Sequence, residues 1–324
     1  MKNLFLILIL TGSLIRAQSL KQRNVTLMGS RFDLAVVHES DEKAEAYIDT
    51  AIAEITRIEN LISEWRPYTE VSEVNRNAGI RPVKVSRELL DLTERALYFS
   101  RISNGAFDIS FASADKIWKF DGSMTELPSE EKIAESVKKI GYQNIRINSK
   151  KSTIYLRKKG MKIGFGSIGK GYAADKTKEL LIKKGVPAGI INASGDMNTW
   201  GTQPGGDPWN AGISNPMDKN TIFAVLDLDK NPAVVTSGNY EKFAMIEGKR
   251  YSHIINPKTG YPASGLASVT ILGDSAEKAN GFSTAIMVLG LEKGMKLLSR
   301  FPDLQGILVT DEGDVMTTPN LRLR

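Results

Sequence analysis

The chain has 324 residues, 41% hydrophobic and 25% charged, a globular composition long enough for one large domain or two ordinary ones and for a sizeable buried core. Its 43 basic and 37 acidic side chains leave a net charge of +6; the excess is modest and dispersed, with no basic and aromatic stripe, so no nucleic-acid partner is expected. No cysteine occurs, which excludes disulfides, thiolate metal sites and a cysteine-linked lipid anchor.

Residues 1–17 carry an early Lys2, a short apolar run and small residues around Ile15-Arg16-Ala17. That is the pattern of a secretory signal, too short for a comfortable membrane span, with cleavage expected before Gln18. Its removal takes away Lys2 and Arg16 and no acid, so the net charge falls from +6 to +4. The mature chain is expected to be an exported, soluble protein, periplasmic where the host has an outer membrane.

Residues 24–39 alternate and predict one strand ending near His38. Apolar positions at helical spacing (Ala44, Tyr47, Ile48, Ala51, Ile55, Ile58, Leu61, Ile62) predict an amphipathic helix over 41–63. A polar turn is expected over 63–75 and a second helix over 86–103. Residues 104–120 read as a loop with ordered aromatics, 128–140 as a short helix, and 143–166 as a hairpin turning near Lys158-Lys159-Gly160. A helix over 170–184 stops at Gly185. Strands are then predicted at 188–193, 210–214, 222–228, 233–237, 242–247, 267–273 and 306–311, with helices over 275–289 and 291–300. Strands and helices mix without strict βαβ order, which argues for an α+β class rather than a doubly wound one.

Between the predicted hairpin and helix lies a glycine-dense turn, residues 162–171, reading Lys-Ile-Gly-Phe-Gly-Ser-Ile-Gly-Lys-Gly. Backbone amides free of side chains, beside a helix N-terminus, can approach a phosphate, so a bound nucleotide is the first expectation. The alternative is a tight strand-to-helix connection with no ligand. Gly164, Gly166 and Gly169 match a dinucleotide fingerprint in spacing, and Gly164 to Lys170 match a P-loop. Gly171 stands where a P-loop needs Ser or Thr for Mg²⁺, and no acidic residue closes a strand before Asp196, so neither match is accepted.

Further polar and glycine clusters sit at predicted element ends: Asn192 to Asp196, Thr236 to Tyr240, His253 to Pro262, and Ala279 to Thr284 on a helix. Each alone reads as turn chemistry. Together they mark loops of the kind on which sites are built. In chain order, Met28-Gly29, Ser63-Glu64-Trp65, Gly105 to Asp108, the glycine turn with Lys170-Gly171-Tyr172, Asn192 to Asp196, Thr236 to Gly238, His253 to Pro257 and Ala279 to Ala285 resemble the ApbE family, the FAD:protein FMN transferases. The resemblance covers nearly the whole mature chain. It implies one domain over 18–324 with an ApbE-like (T-fold-like) α+β fold of mixed, largely antiparallel sheets flanked by helices. It also implies an enzyme that splits FAD, its substrate, places FMN on a threonine or serine hydroxyl of a target protein, and releases AMP with the help of Mg²⁺. The implied partner is a flavin-acceptor protein, a subunit of a membrane electron-transport complex or an extracytoplasmic reductase.

The resemblance assigns roles as well. Mg²⁺ would be held by the backbone carbonyl of Ser167 with Asn280 and Thr284, and an i, i+4 pair shares one helix face. Asn280 stands where the family carries Asp, and Gly164 where many members carry Asp against the nucleotide. Met28, Trp65, Ala106, Phe107, Asp108, Gly164, Lys170 and His253 match positions that hold FAD. Trp65 offers an aromatic platform, Lys170 a point charge for a phosphate, and His253 a base able to take a hydroxyl proton. Two alternatives stay open: an FAD pyrophosphatase, in which water replaces the target hydroxyl, and an FAD-binding protein without catalysis, which Asn280 motivates.

Overall fold

The computed structural model describes residues 19–218, 220–230, 232–240, 242–319 and 321; the segment read as a secretory signal lies outside them. The described chain opens with a hairpin, β1 (Ser19–Leu27) and β2 (Ser30–His38), where the alternation predicts a single strand. Met28 and Gly29 between them have φ of 50° and 68°, the left-handed pair that a two-residue hairpin turn requires. The signal for this turn is a change of parity: the apolar residues are odd-numbered before it (Val25, Leu27) and even-numbered after it (Phe32, Leu34, Val36).

Ser40 caps α1 (Asp41–Ile62), whose apolar face from Ala44 to Ile62 is buried as its spacing dictates. α2 (Glu70–Arg76) takes the second half of the expected polar turn. There follow β3 (Val83–Lys84), α3 (Arg87–Ile102), a 3₁₀ turn over Ile109–Ser113 and α4 (Glu130–Ser136). The next hairpin, β4 (Ile145–Asn148) with β5 (Thr153–Leu156), turns over 149–152 and not at 158–160. The Asn148 side chain accepts from the Lys151 amide at 3.0 Å, an Asx-type closure that fixes the turn there.

The remaining elements are α5 (Gly169–Lys183), β6 (Ala188–Ala193), β7 (Asp196–Trp200), β8 (Asn210–Ser214), β9 (Ile222–Asp227), β10 (Ala233–Gly238), β11 (Phe243–Ile246), β12 (Lys249–Ser252), β13 (Leu266–Gly273), α6 (Ala276–Leu289), α7 (Leu291–Leu298), β14 (Gln305–Thr310) and β15 (Val315–Thr317). Among these, β7, β12 and β15 have no counterpart among the predicted strands, and neither has the earlier β3. The first two begin right after two-residue turns, Ser194-Gly195 and Glu247-Gly248, in which every residue has positive φ.

Eight strands form one sheet in the order β1-β2-β6-β7-β10-β13-β14-β15, with every pairing antiparallel. The two-residue period of a strand sorts its side chains. Val36, Ile191, Val235, Ile271 and Leu308 join α1, α5 and α6 in the main core. Val37, Val234, Leu272 and Ile307 point the other way, where the β8–β9 hairpin covers them with Trp209, Ile213 and Leu226. β13 is therefore buried at all eight positions, which is why it reads as an unbroken apolar run. The architecture is the expected α+β one, largely antiparallel and flanked by helices. Among the described residues no helix is long and apolar enough to cross a membrane.

Candidate active site

Segments far apart in sequence meet around a cavity of about 340 Å³, within the range of small-molecule sites. Glu64 reaches it from the turn after α1, and Ala106, Asp108 and Phe111 from the segment after α3. The glycine turn supplies Gly164, Gly166, Ser167 and Lys170; the β6–β7 turn supplies Ser194 and Asp196. The end of β10, the turn at His253 and the α6 residues Asn280 and Thr284 close it.

The glycine turn works by close approach. Gly164 N–H donates to the Ile109 carbonyl at 3.0 Å, and Gly169 N–H to the Phe165 carbonyl at 2.6 Å. A Cβ on Gly171 would stand 2.4 Å from the Ala276 carbonyl oxygen, so only glycine lets α5 lie this near the start of α6. That contact sets Lys170 on the same cavity as Asn280 and Thr284. No side chain caps the N-terminus of α5; its first amide, on Gly169, is taken by the Phe165 carbonyl, and its positive dipole end lies beside Ser167 and Lys170. Such an end attracts a phosphate. Lys170 Nζ lies 4.0 Å from Asp196.

Asn280 is 6% exposed, and its Oδ1 has no hydrogen-bond partner. A buried carbonyl oxygen left unpaired costs free energy, and a ligand entering the cavity would relieve it. The neighbouring Ser283 hydroxyl meets the Ser237 hydroxyl at 2.9 Å, which ties α6 to the end of β10. Ser167, Asn280 and Thr284 line the same cavity. They offer a carbonyl, an amide oxygen and a hydroxyl, all neutral and all hard. Oxygen donors of this kind suit Mg²⁺, and the unpaired Oδ1 fits a cation. Among the described residues no group of three or more His, Asp or Glu stands together as a metal site, so no carboxylate cluster strengthens the set.

His253 is fixed by its neighbours. Its Nδ1 lies 3.0 Å from the Lys242 carbonyl, and a carbonyl can only accept. Nδ1 therefore carries a proton in this contact, and in the neutral ring the lone pair of a base falls to Nε2. The Phe120 ring stands edge-on at 6.4 Å. Asp108, 7% exposed, accepts from the Ser110 amide at 2.8 Å, the Ser110 hydroxyl at 2.6 Å and the Tyr142 amide at 2.8 Å. Burial pushes its carboxyl above the ordinary aspartate range, against these hydrogen bonds.

Of the residues proposed to hold nucleotide or metal, Ala106, Asp108, Gly164, Ser167, Lys170, His253, Asn280 and Thr284 all line this cavity. The other three stand apart from it. The Phe107 side chain is fully buried and packs edge-on to Phe99 at 5.7 Å. Met28 sits half-buried at the β1–β2 turn against the main core. Trp65 is 71% exposed, with Lys116 Nζ 3.7 Å from its ring centroid. It lines a neighbouring cleft of about 890 Å³ that shares Glu64, Phe111, Ala112, His253 and Ile255 with the cavity. Glu64 is a cavity residue to which sequence reading assigns no role, although it sits in the matched Ser63-Glu64-Trp65 motif.

A family model described as the ApbE family matches residues 28–308. A protein of Escherichia coli (strain K12) named FAD:protein FMN transferase is 30% identical over 266 residues, covering 80% of this chain and 75% of its own length. The crystal structure of an ApbE protein from Thermotoga maritima superposes with a TM-score of 0.83 at 28% identity, covering 93% of this chain and 97% of that one. The apo form of a flavinyl transferase ApbE from Pseudomonas stutzeri gives 0.80 at 28% identity, covering 94% and 95%.

Proposed function

The chain belongs to the ApbE family, and from that premise we propose that it transfers FMN from FAD to a threonine or serine hydroxyl of a target protein, releasing AMP. The observation that carries this reading is the convergence of Lys170, Asn280, Thr284 and His253 on one cavity. The diphosphate of FAD lies against the open N-terminus of α5 and Lys170, which offset its charge. His253 Nε2 takes the proton of the target hydroxyl. The hydroxyl oxygen forms a bond to the FMN phosphorus, the bond from that phosphorus to the bridging oxygen breaks, and AMP leaves with that oxygen. Ser167, Asn280 and Thr284 are the residues that would hold Mg²⁺, and the ion supplies charge neutralisation at the diphosphate. The enzyme acts outside the cytoplasm, on a flavin-acceptor subunit of a membrane electron-transport complex or on an extracytoplasmic reductase.

A second reading is favoured by the neutral oxygen set: a protein that holds FAD without turning it over. One experiment separates these and the pyrophosphatase. AMP release from FAD is followed with and without an acceptor protein, together with protein-bound and free FMN. Transfer predicts AMP equal to protein-bound FMN and dependent on the acceptor. Free FMN without acceptor would establish hydrolysis instead, and binding with no AMP at any Mg²⁺ concentration would establish storage.

A further inference from the structure

Glu64 and Gly164 make a contact that the transfer step leaves unused. The backbone at Gly164 lies outside the left-handed region, so conformation does not call for glycine there. Space does. A Cβ on Gly164 would stand 2.8 Å from Glu64 Oε1, 2.9 Å from its Cδ and 3.0 Å from the Ala112 Cβ. The Glu64 carboxyl is thus seated on bare backbone, and it lines both the cavity and the adjoining cleft.

Burial holds this carboxyl above the ordinary glutamate range; its own backbone amide and the charges of Lys116 and Lys162 pull the other way. Lys116 is committed to the Trp65 ring, 3.7 Å from its centroid. A half-buried carboxylate beside a phosphate-binding turn is costly unless a ligand uses it. It repels phosphate, so the part of the ligand it meets is neutral and donor-bearing. Trp65, Phe111, Trp118 and Phe120 wall the cleft beyond it, and aromatic walls suit a planar ring.

We propose that Glu64, seated on Gly164, accepts a hydrogen bond from an N–H on the edge of a planar ring of FAD and so decides which end of the dinucleotide enters the aromatic cleft. The diphosphate then lies at Lys170 and the start of α5. The isoalloxazine imide and the adenine amino group share this chemistry. The proposal rests on FAD being the ligand.

The test is equilibrium binding, with no turnover needed. FAD, FMN and AMP are titrated calorimetrically into the unaltered chain, Glu64→Ala and Gly164→Ala. The second variant displaces the carboxyl without removing it. Both variants are expected to weaken FAD and one of the two fragments about tenfold or more, as loss of a charged acceptor does, and to leave the other fragment unchanged. Loss confined to FMN identifies the flavin ring; loss confined to AMP identifies adenine. Unchanged affinities in both variants, or equal loss for both fragments, would overturn the role of Glu64. No FAD binding by the unaltered chain would overturn the flavin reading itself, and this proposal with it.

Discussion

The carboxylate of Asp175 on α5 accepts a hydrogen bond from the hydroxyl of Ser275, the N-cap of α6, at 2.6 Å. The same carboxylate accepts from the amides of Ala276 at 2.8 Å and Glu277 at 3.0 Å, and from Asn198 Nδ2 of β7 at 2.6 Å. One half-buried group therefore holds the helix of Lys170, the helix of Asn280 and Thr284, and the sheet in fixed relation. It also places negative charge at the start of α6, where the helix dipole favours it. Asp175→Ala is expected to cost about 1–3 kcal/mol by stranding buried donors. It should also raise the Mg²⁺ concentration needed for half-maximal transfer. Thermal melts and Mg²⁺ titrations check the two parts separately.

Burial holds the Asp175 carboxyl above the ordinary aspartate range, and its hydrogen bonds, led by that of Ser275, pull it down. A carboxyl whose folded pKa is raised takes up a proton on folding. Its contribution is complete below the unfolded aspartate value and is lost as pH rises through the folded one. Asp175→Asn removes that titration. The stability of Asp175→Asn relative to the unaltered chain should therefore rise between pH 4 and pH 7, as melts across that range would record.

Gly171 faces backbone, not a side chain that could move: a Cβ there would lie 2.4 Å from the Ala276 carbonyl oxygen and 2.8 Å from the Glu277 amide nitrogen. Gly171→Ala has to push α5 and α6 apart. Overpacking of this kind costs about 1–3 kcal/mol, and here it also moves Lys170 away from Asn280. Denaturant melts should show the loss, and FAD affinity should fall with it.

Asn280 gives a metal test that needs no catalysis. Asn280→Asp puts a charge where a neutral oxygen now lies unpaired, and a buried carboxylate without a partner destabilises the fold. Without Mg²⁺ the variant should melt below the unaltered chain. Added Mg²⁺ should raise its melting temperature more than that of the unaltered chain, because a ligand that binds only the folded state stabilises it in proportion to affinity. An equal response of the two proteins would remove Asn280 from the metal set.

Much of this was legible in residue order. α1, α3, α5 and α6 were legible, α1 from its apolar spacing and α5 from its Gly185 stop, because helical signals are local. The turns were less legible. Nothing in residue type marks Met28 as left-handed, and the turn at 149–152 is set by one Asn148 side chain that accepts from the Lys151 amide three residues on. At the site, Lys170, His253, Asn280 and Thr284 were recognisable because each sits in a compact motif. Glu64 sits in a motif too, Ser63-Glu64-Trp65, but its role depends on what Gly164 lacks, one hundred positions further on. The matched motif residue Phe107 has its ring in the core while its neighbours Ala106 and Asp108 line the cavity, a division that a strand-like side-to-side alternation produces and a motif does not display.

The central claim is that this cavity moves FMN from FAD onto a protein hydroxyl with His253 as the base. The most direct measurement is in-gel flavin fluorescence after incubating the purified chain with FAD, Mg²⁺ and a threonine-bearing flavin-acceptor domain, alongside His253→Ala and an acceptor lacking that threonine. The account predicts a fluorescent acceptor band with the unaltered chain, a loss of about a hundredfold or more in its rate with His253→Ala, and no band without the threonine. FAD binding with no band from the unaltered chain, at any Mg²⁺ concentration and with an acceptor that another flavin transferase labels, would contradict it.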